Sequence, residues 1–163
     1  MVVFNVRGPF PIKLRRRPGG RFIDVETIAR FWSQCADLVE ETGCYVFGVR
    51  AGRGIVPAYV GQSTTGFKNE CFESHKLQHY HGALADRAKA TPVMFFLVRT
   101  EGPASTVEAS VDRLEDFLIQ IASDRNPSLR NVRRVEWCIQ GVVRSQPGPP
   151  SDAAVFFRRM MGL

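Results

Sequence analysis

The stretch GCYVFGVRAGRGIVPAYVGQS, Gly43–Ser63, decides how this chain is read. Val, Tyr and Phe crowd its two flanks, and the glycines of AGRGIV between them suit an irregular hairpin loop. That combination predicts two paired strands, roughly 44–50 and 57–62. Each flank also carries a phenol among glycines, Tyr45 and Tyr59. Read alone, both are strand aromatics that pack a core. Read with residues further along, they become two arms of a site.

Working outward, the neighbours fall into a clear order of elements. Residues 2–6 suit a short strand, followed by a Pro/Gly-rich basic loop to Gly20. Asp24 then caps a helix, DVETIARFWSQCADLVEETG, with Glu26 and Thr27 in its first turn and Gly43 as its stop. Val25, Ile28, Phe31, Trp32, Cys35, Leu38 and Val39 recur at helical spacing and give it one apolar face. After the hairpin, FKNECFESHKLQHYHGALADRAKA has no proline and predicts a helix over about 68–89. TPVMFFLVR reads as a buried strand. STVEASVDRLEDFLIQIASD opens with a capping box, Ser105 to Glu108, and predicts a helix. VRRVEWCIQGVV reads as a further strand, SQPGPPSD as a hinge and AAVFFRRMMGL as a short closing helix. The central order β-β-α-β-α predicts an α+β fold: a three-stranded antiparallel sheet flanked by helices, with an N-terminal strand and helix and a C-terminal strand and helix as extensions. The 163 residues suit one domain, with 1–42 as a basic arm and helix, 43–131 as the core and 132–163 as an extension.

With 44% apolar residues the chain can build a real core, and its net charge of +6 is unevenly spread. Arg7, Lys13, Arg15, Arg16, Arg17 and Arg21 fall in residues 1–21, which hold no acid and therefore account for the whole excess. A second basic cluster, Arg125, Arg130, Arg133 and Arg134, follows the last core helix. Such patches concentrate polyanions, nucleic acid above all, although LRRRPGGR alone fits a solvated tail equally well. Cys35, Cys44, Cys71 and Cys138 form no Cys-x-x-Cys pair and read as reduced, mostly buried thiols. No signal sequence is recognised, and no run approaches the ~20 apolar residues of a membrane span, so a cytoplasmic setting is expected. Nothing in the sequence fixes an oligomeric state.

With Glu115 added, the pattern becomes recognisable. GCYVF and AYVGQS together resemble the paired signature of the GIY-YIG nuclease family, with Cys44 in place of the first Ile and Val60 in place of the second. The strand order resembles that family's central sheet, and LEDFLIQIASDRNPSLRN is similar to its Glu-bearing helix followed by a Pro and an Asn. The resemblance covers about Gly43–Asn131. It implies a metal-dependent endonuclease that hydrolyses phosphodiester bonds with one Mg²⁺ or Mn²⁺ per active site. DNA is the expected substrate, and structure-specific RNA cleavage is the other option. By position, the resemblance implies that Tyr45 is the general base, that Tyr59 orients water and phosphate, and that Glu115 is the metal-binding carboxylate. Asn131 corresponds to the asparagine after the helix, although PSLRN has one residue more than the expected spacing. A phenol ionises near ~10, so a base at Tyr45 needs nearby cations to depress it. One carboxylate, with water and phosphate completing the shell, suits Mg²⁺.

The chain departs from the family at one position. The family carries an Arg on the helix after the second strand, with a His or Tyr four residues on. No Arg lies between Tyr59 and Arg87. Lys76 with Tyr80, one turn apart, is the best substitute, and Lys68 and His75 compete for the role. An ammonium neutralises phosphate without the planar fork of a guanidinium. That loss motivates the alternative, a nucleic-acid-binding module with a nuclease fold and weak or absent catalysis. A protein whose basic arm contacts an acidic partner is a third reading. Arg53 in the hairpin loop and Arg15, Arg16 and Arg17 in the arm are the expected contacts to a nucleic-acid backbone. Cys71, His75 and His79 stand at i, i+4 and i+8 and suggest zinc, but the ends of that stripe lie ~12 Å apart along a helix, too far for one ion. His79 and His81 read as exposed. AGRGIV lacks the Gly-x-x-x-x-Gly-Lys pattern of a phosphate loop.

Overall fold

Seven successive residues, 43–49, are buried in the first strand of the hairpin, a run that requires cover on both faces. The computed structural model describes residues 2–18, 20–52, 54–85, 87, 89–103, 107–131 and 152–162. Its strands are β1 (Val3–Pro11), β2 (Arg15–Arg17), β3 (Gly20–Phe22), β4 (Gly43–Ala51), β5 (Gly54–Ser63) and β6 (Thr91–Glu101). Four of them form an open antiparallel sheet in the order β1-β6-β4-β5, and β2 pairs only with β3. The helices are α1 (Val25–Gln34), α2 (Phe67–Glu70), α3 (Ser74–Ala85), α4 (Val107–Arg125) and α5 (Asp152–Met161). The fold class is α+β.

Side chains alternate across a strand, so β4 and β6 divide their residues between two cores. Tyr45, Phe47, Val49, Met94, Phe96 and Val98 pack with Phe31 and Trp32 of α1, Phe67 of α2 and Tyr80 of α3. Cys44, Val46, Val93, Phe95 and Leu97 pack on the other face with Val111 and Leu118 of α4 and Phe157 of α5. Each fully buried Val, Leu or Phe contributes ~1.5–3 kcal/mol, so both faces hold the sheet in place. Asp24 caps α1 as expected, its Oδ1 accepting from the Thr27 N–H at 2.9 Å.

Three expectations are corrected. The sheet has four strands, because β1 runs beyond Val6 to Pro11 and pairs with β6. The N-terminal segment is therefore part of the sheet, and the basic stretch after it folds into the β2–β3 hairpin. The helix expected over 68–89 is two, since the chain turns between Glu70 and Ser74. The helix capped by Asp24 ends at Gln34, and a 3-10 turn, Ala36–Leu38, tucks Leu38 inward before Gly43. The closing helix is present as α5. The strand read at 132–143, most of the hinge, Ser105, Arg53 and Cys138 lie outside the described residues. No helix among the described residues is long and apolar enough to cross a membrane.

The outer edge of β5 is covered without a further described strand. Asn126 Nδ2 donates to Pro57 O at 2.8 Å, and Arg130 N donates to Ala58 O at 3.0 Å. Asn131 closes the series with both ends of its amide, Oδ1 accepting from Val60 N at 3.1 Å and Nδ2 donating to Val60 O. An exposed strand edge is a template for unwanted pairing, and this short segment blunts it. Opposite β4, Phe47 pairs with Tyr59 and Gly48 with Pro57, which leaves Ala58 as a bulge. Bulges bend a strand and re-aim the next side chain, here Tyr59.

Cys35, Cys44 and Cys71 are buried free thiols, as their apolar surroundings predict. Burial, reinforced by Asp37 and opposed by Arg7, pushes Cys35 up to about 11. Burial also raises Cys44 and Cys71 well above the usual thiol range. The folded state thus holds thiol protons that the unfolded chain releases near ~8.5. Their contribution to stability is complete below that pH and is lost as pH rises, for Cys35 through about 11, at up to ~1.4 kcal/mol per pH unit for each thiol. The urea midpoint is expected to fall between about pH 7.5 and about pH 10, and Cys35→Ala should make the fall shallower. A midpoint that is flat over that window contradicts the assignment.

Candidate functional site at the outer edge of the sheet

The glycines of the quoted hairpin make room for its tyrosines. Tyr45 on β4 lies directly across from Gly61 on β5, and a Cβ at Gly61 would overlap Tyr45 Cζ and Oη. The phenol therefore lies across the strand, toward the edge. Its ring stacks on Tyr59 at 6.5 Å and 19°, meets Phe67 edge-on at 6.3 Å and has Lys76 Nζ at 5.8 Å from its centroid. Tyr45 has no exposed surface, and its Oη makes no hydrogen bond of normal geometry among the described residues. Burial, with Tyr80, Cys71, Tyr59 and Glu70 adding to it, drives its pKa far above the ordinary phenol value. Burial thus favours the neutral phenol at Tyr45, against the base role expected of it.

Tyr59 is the phenol that meets the other chemistry. Its ring is 5.4 Å from His79 and 5.6 Å from Tyr80, both on α3. Burial raises its pKa, the Lys76 ammonium lowers it, and the Glu115 carboxylate raises it again. Groups from β5, α3 and α4 are thus electrostatically coupled at one ring. Glu115 is only 8% exposed, on the α4 side of the sheet between Leu114 and Leu118, and it also raises Cys44. Beside it, Gln62 Nε2 donates to Asp112 Oδ1 at 2.7 Å and ties β5 to α4.

Lys76 is buried and fully engaged. Its Nζ donates to Glu70 O at 2.9 Å and Glu70 Oε2 at 2.7 Å, and pairs with Glu73 Oε2 at 2.9 Å. An ammonium has three N–H donors, and here all three have acceptors. Burial lowers its pKa, but the bonds to Glu70 and Glu73 outweigh that and raise it overall. The same bond to Lys76 holds Glu73 below the usual carboxylate range.

The other predicted residues are dispersed. Tyr80 stacks on Phe47 at 4.2 Å and donates its hydroxyl to Cys71 O at 2.8 Å, a packing role in the core. His75 is exposed, with Nδ1 at 3.9 Å from Glu73 Oε2. Lys68 is exposed on α2. The amide of Asn131 is committed to Val60 at the β5 edge. Arg15 pairs with Glu26 and lies 3.8 Å from Asp24 Oδ2, so part of the arm's charge is met within the protein. Arg16 and Arg17 are in β2, and their side chains lie outside the description, as does Arg53. His81 is half-buried and accepts from Ile23 N at 3.1 Å.

Two residues at the site were named in the sequence without a catalytic role. His79, expected to be exposed, is half-buried against Tyr59; its signal is the spacing from His75, four residues earlier, the same interval assigned to Lys76 and Tyr80. Arg130 reaches α3 from beyond α4, and no local pattern announces that approach.

Among the described residues no group of three or more His, Cys, Asp or Glu side chains is placed to hold a metal ion. A single hard carboxylate such as Glu115 fits an ion of the Mg²⁺ type, which keeps several waters and takes the rest of its shell from phosphate. It does not fit zinc, which needs at least three protein ligands. No known protein family, curated protein or solved structure matches this chain. The fold and site therefore define an α+β protein with an open four-stranded antiparallel sheet and a polar cluster at its β5 edge.

Proposed function

We propose that the chain is a phosphodiester hydrolase of the GIY-YIG type acting on nucleic acid, with its active site at the outer edge of β5. The reading rests on one observation, the packing of Tyr59 between Tyr45 of β4 and His79 of α3, with the Lys76 and Glu115 charges acting on its pKa in opposite directions. Tyr59 holds the attacking water. His79 takes its proton as the water oxygen bonds to phosphorus and the bond to the leaving oxygen breaks; imidazole is the side chain most often used for such transfer. Tyr45, neutral and stacked behind Tyr59, fixes that ring, and the base role implied for it passes to His79. Glu115 would hold Mg²⁺ or Mn²⁺, which supplies charge neutralisation at the phosphate when bound.

A second reading is favoured by the saturated Lys76 and the raised phenols: a nucleic-acid-binding module with little or no catalysis. Supercoiled plasmid with Mg²⁺ or Mn²⁺ separates the two. The wild type should nick it, and Tyr59→Phe and His79→Gln should each slow nicking by about 10²-fold. Retention of plasmid without any nicking supports the binding module, and failure to bind at all removes both readings.

A further inference from the structure

We infer that Arg130 is the cation that grips the phosphodiester in this site, entering from beyond α4 in place of an arginine on α3. The inference rests on the hydrolase reading for its substrate class, but its geometry is independent of it. Lys76, the sequence candidate, has each of its three donors on an acceptor and cannot hold a phosphate without breaking those bonds.

Arg130 is held at the level of Tyr59 by the main chain on either side. Its own N–H is on Ala58 O, and the next residue, Asn131, is doubly bonded to Val60. Leu129 packs into the α4-side core, and Arg130 emerges on the other face of the sheet, the one that carries Tyr59 and α3. There the guanidinium lies over Gly82: a Cβ at that position would be 3.3 Å from Arg130 Cζ, 3.4 Å from Nη1 and 3.5 Å from Nη2. A helical residue three positions earlier shares that face, and at Gly82 that residue is His79. The absent side chain of Gly82 thus admits the guanidinium of the exposed Arg130 onto α3, one turn from His79, whose imidazole meets Tyr59. A planar fork matches two phosphate oxygens, which a lysine cannot do.

The test uses the full chain, supercoiled plasmid for cleavage and a short fluorescein-labelled DNA duplex for binding across a salt series. Arg130→Ala should cut nicking by about 10²-fold and flatten the log Kd against log salt slope by about one. Arg130→Lys should recover the slope and only part of the rate, and Gly82→Val should mimic the loss by displacing the guanidinium. Melting temperatures monitor a merely structural role, which would lower stability in Arg130→Ala and leave the salt slope unchanged; that result overturns the inference. If Arg130→Ala nicks like wild type while Tyr59→Phe does not, Arg130 is excluded and the hydrolase reading survives. If the wild type binds duplex without nicking and Arg130→Ala flattens the salt slope, the hydrolase reading falls and the phosphate grip stands. No salt-sensitive binding by the wild type refutes both.

Discussion

Gly43→Ala is expected to cost at least ~3 kcal/mol, a large fraction of the stability of an ordinary domain. Two independent penalties add at this position. Gly43 has φ +143°, a backbone conformation that L side chains rarely adopt. A Cβ there would also overlap the carbonyl oxygen of Leu97 on β6 and come within 3.1 Å of its carbon. The obstacle is main chain in the centre of the sheet, where β4 pairs with β6 and Arg99 N donates to Thr42 O at 3.0 Å. No rotamer change relieves it. Gly54→Ala is the control, because φ there is ordinary and a Cβ meets nothing within 4 Å. Its urea midpoint should lie within ~0.5 kcal/mol of wild type. If Gly43→Ala matched Gly54→Ala, the close approach of β4 to β6 would be wrong.

Gly43 also shows what the sequence could and could not express. The sequence reads it as the stop of a helix, but that helix ends at Gln34, and Gly43 opens β4 where two central strands nearly touch, which was not readable because the partner is Leu97. The strands β4, β5 and β6 were legible because apolar runs bounded by glycines and a proline are local signals. The longer extent of β1 was not, because GPFP in residues 8–11 carries loop composition while its partners, Met94 and Val93, are distant in sequence. The break between α2 and α3 was equally hidden. ECFES contains no breaker, and the turn is held by side chains from the next helix, Lys76 on Glu70 O and Tyr80 on Cys71 O.

The site divided along the same line. Tyr45, Tyr59 and Glu115 stood out by residue type within recognisable elements. Their protonation states did not, because burial is a tertiary property: the raised pKa of Tyr45 comes first from desolvation beneath Phe67 and Lys76. Lys76 was chosen for its charge, yet Glu70 and Glu73, six and three residues before it, occupy that charge. Arg130 was counted only as one member of a basic cluster, and its place beside Gly82 depends on a pairing between Ala58 and residue 130.

On the proposed hydrolase reading, Glu115→Gln should abolish most cleavage, by about 10²-fold or more, while leaving the fold intact. The change keeps the shape of the side chain and its capacity for hydrogen bonds, and removes only the charge that a divalent ion requires. Loss of charge has a second consequence that needs no metal. Burial is the main cause of the raised Tyr59 pKa and the Glu115 charge adds to it, so neutralising Glu115 should lower that phenol in part. The shift is readable as tyrosinate absorbance, assigned to Tyr59 by subtraction of a Tyr59→Phe titration. Asp112→Asn serves as the neighbouring control: it alters the carboxylate that accepts from Gln62 and should keep most activity. The two readouts divide the outcomes. A lowered Tyr59 with undiminished nicking would show that Glu115 lies where the structure puts it and holds no essential ion. Lost nicking with an unmoved Tyr59 would mean that the carboxylate acts from a different place than the β5 edge. Only the loss of cleavage together with the lowered phenol supports a carboxylate that both holds the ion and acts on Tyr59.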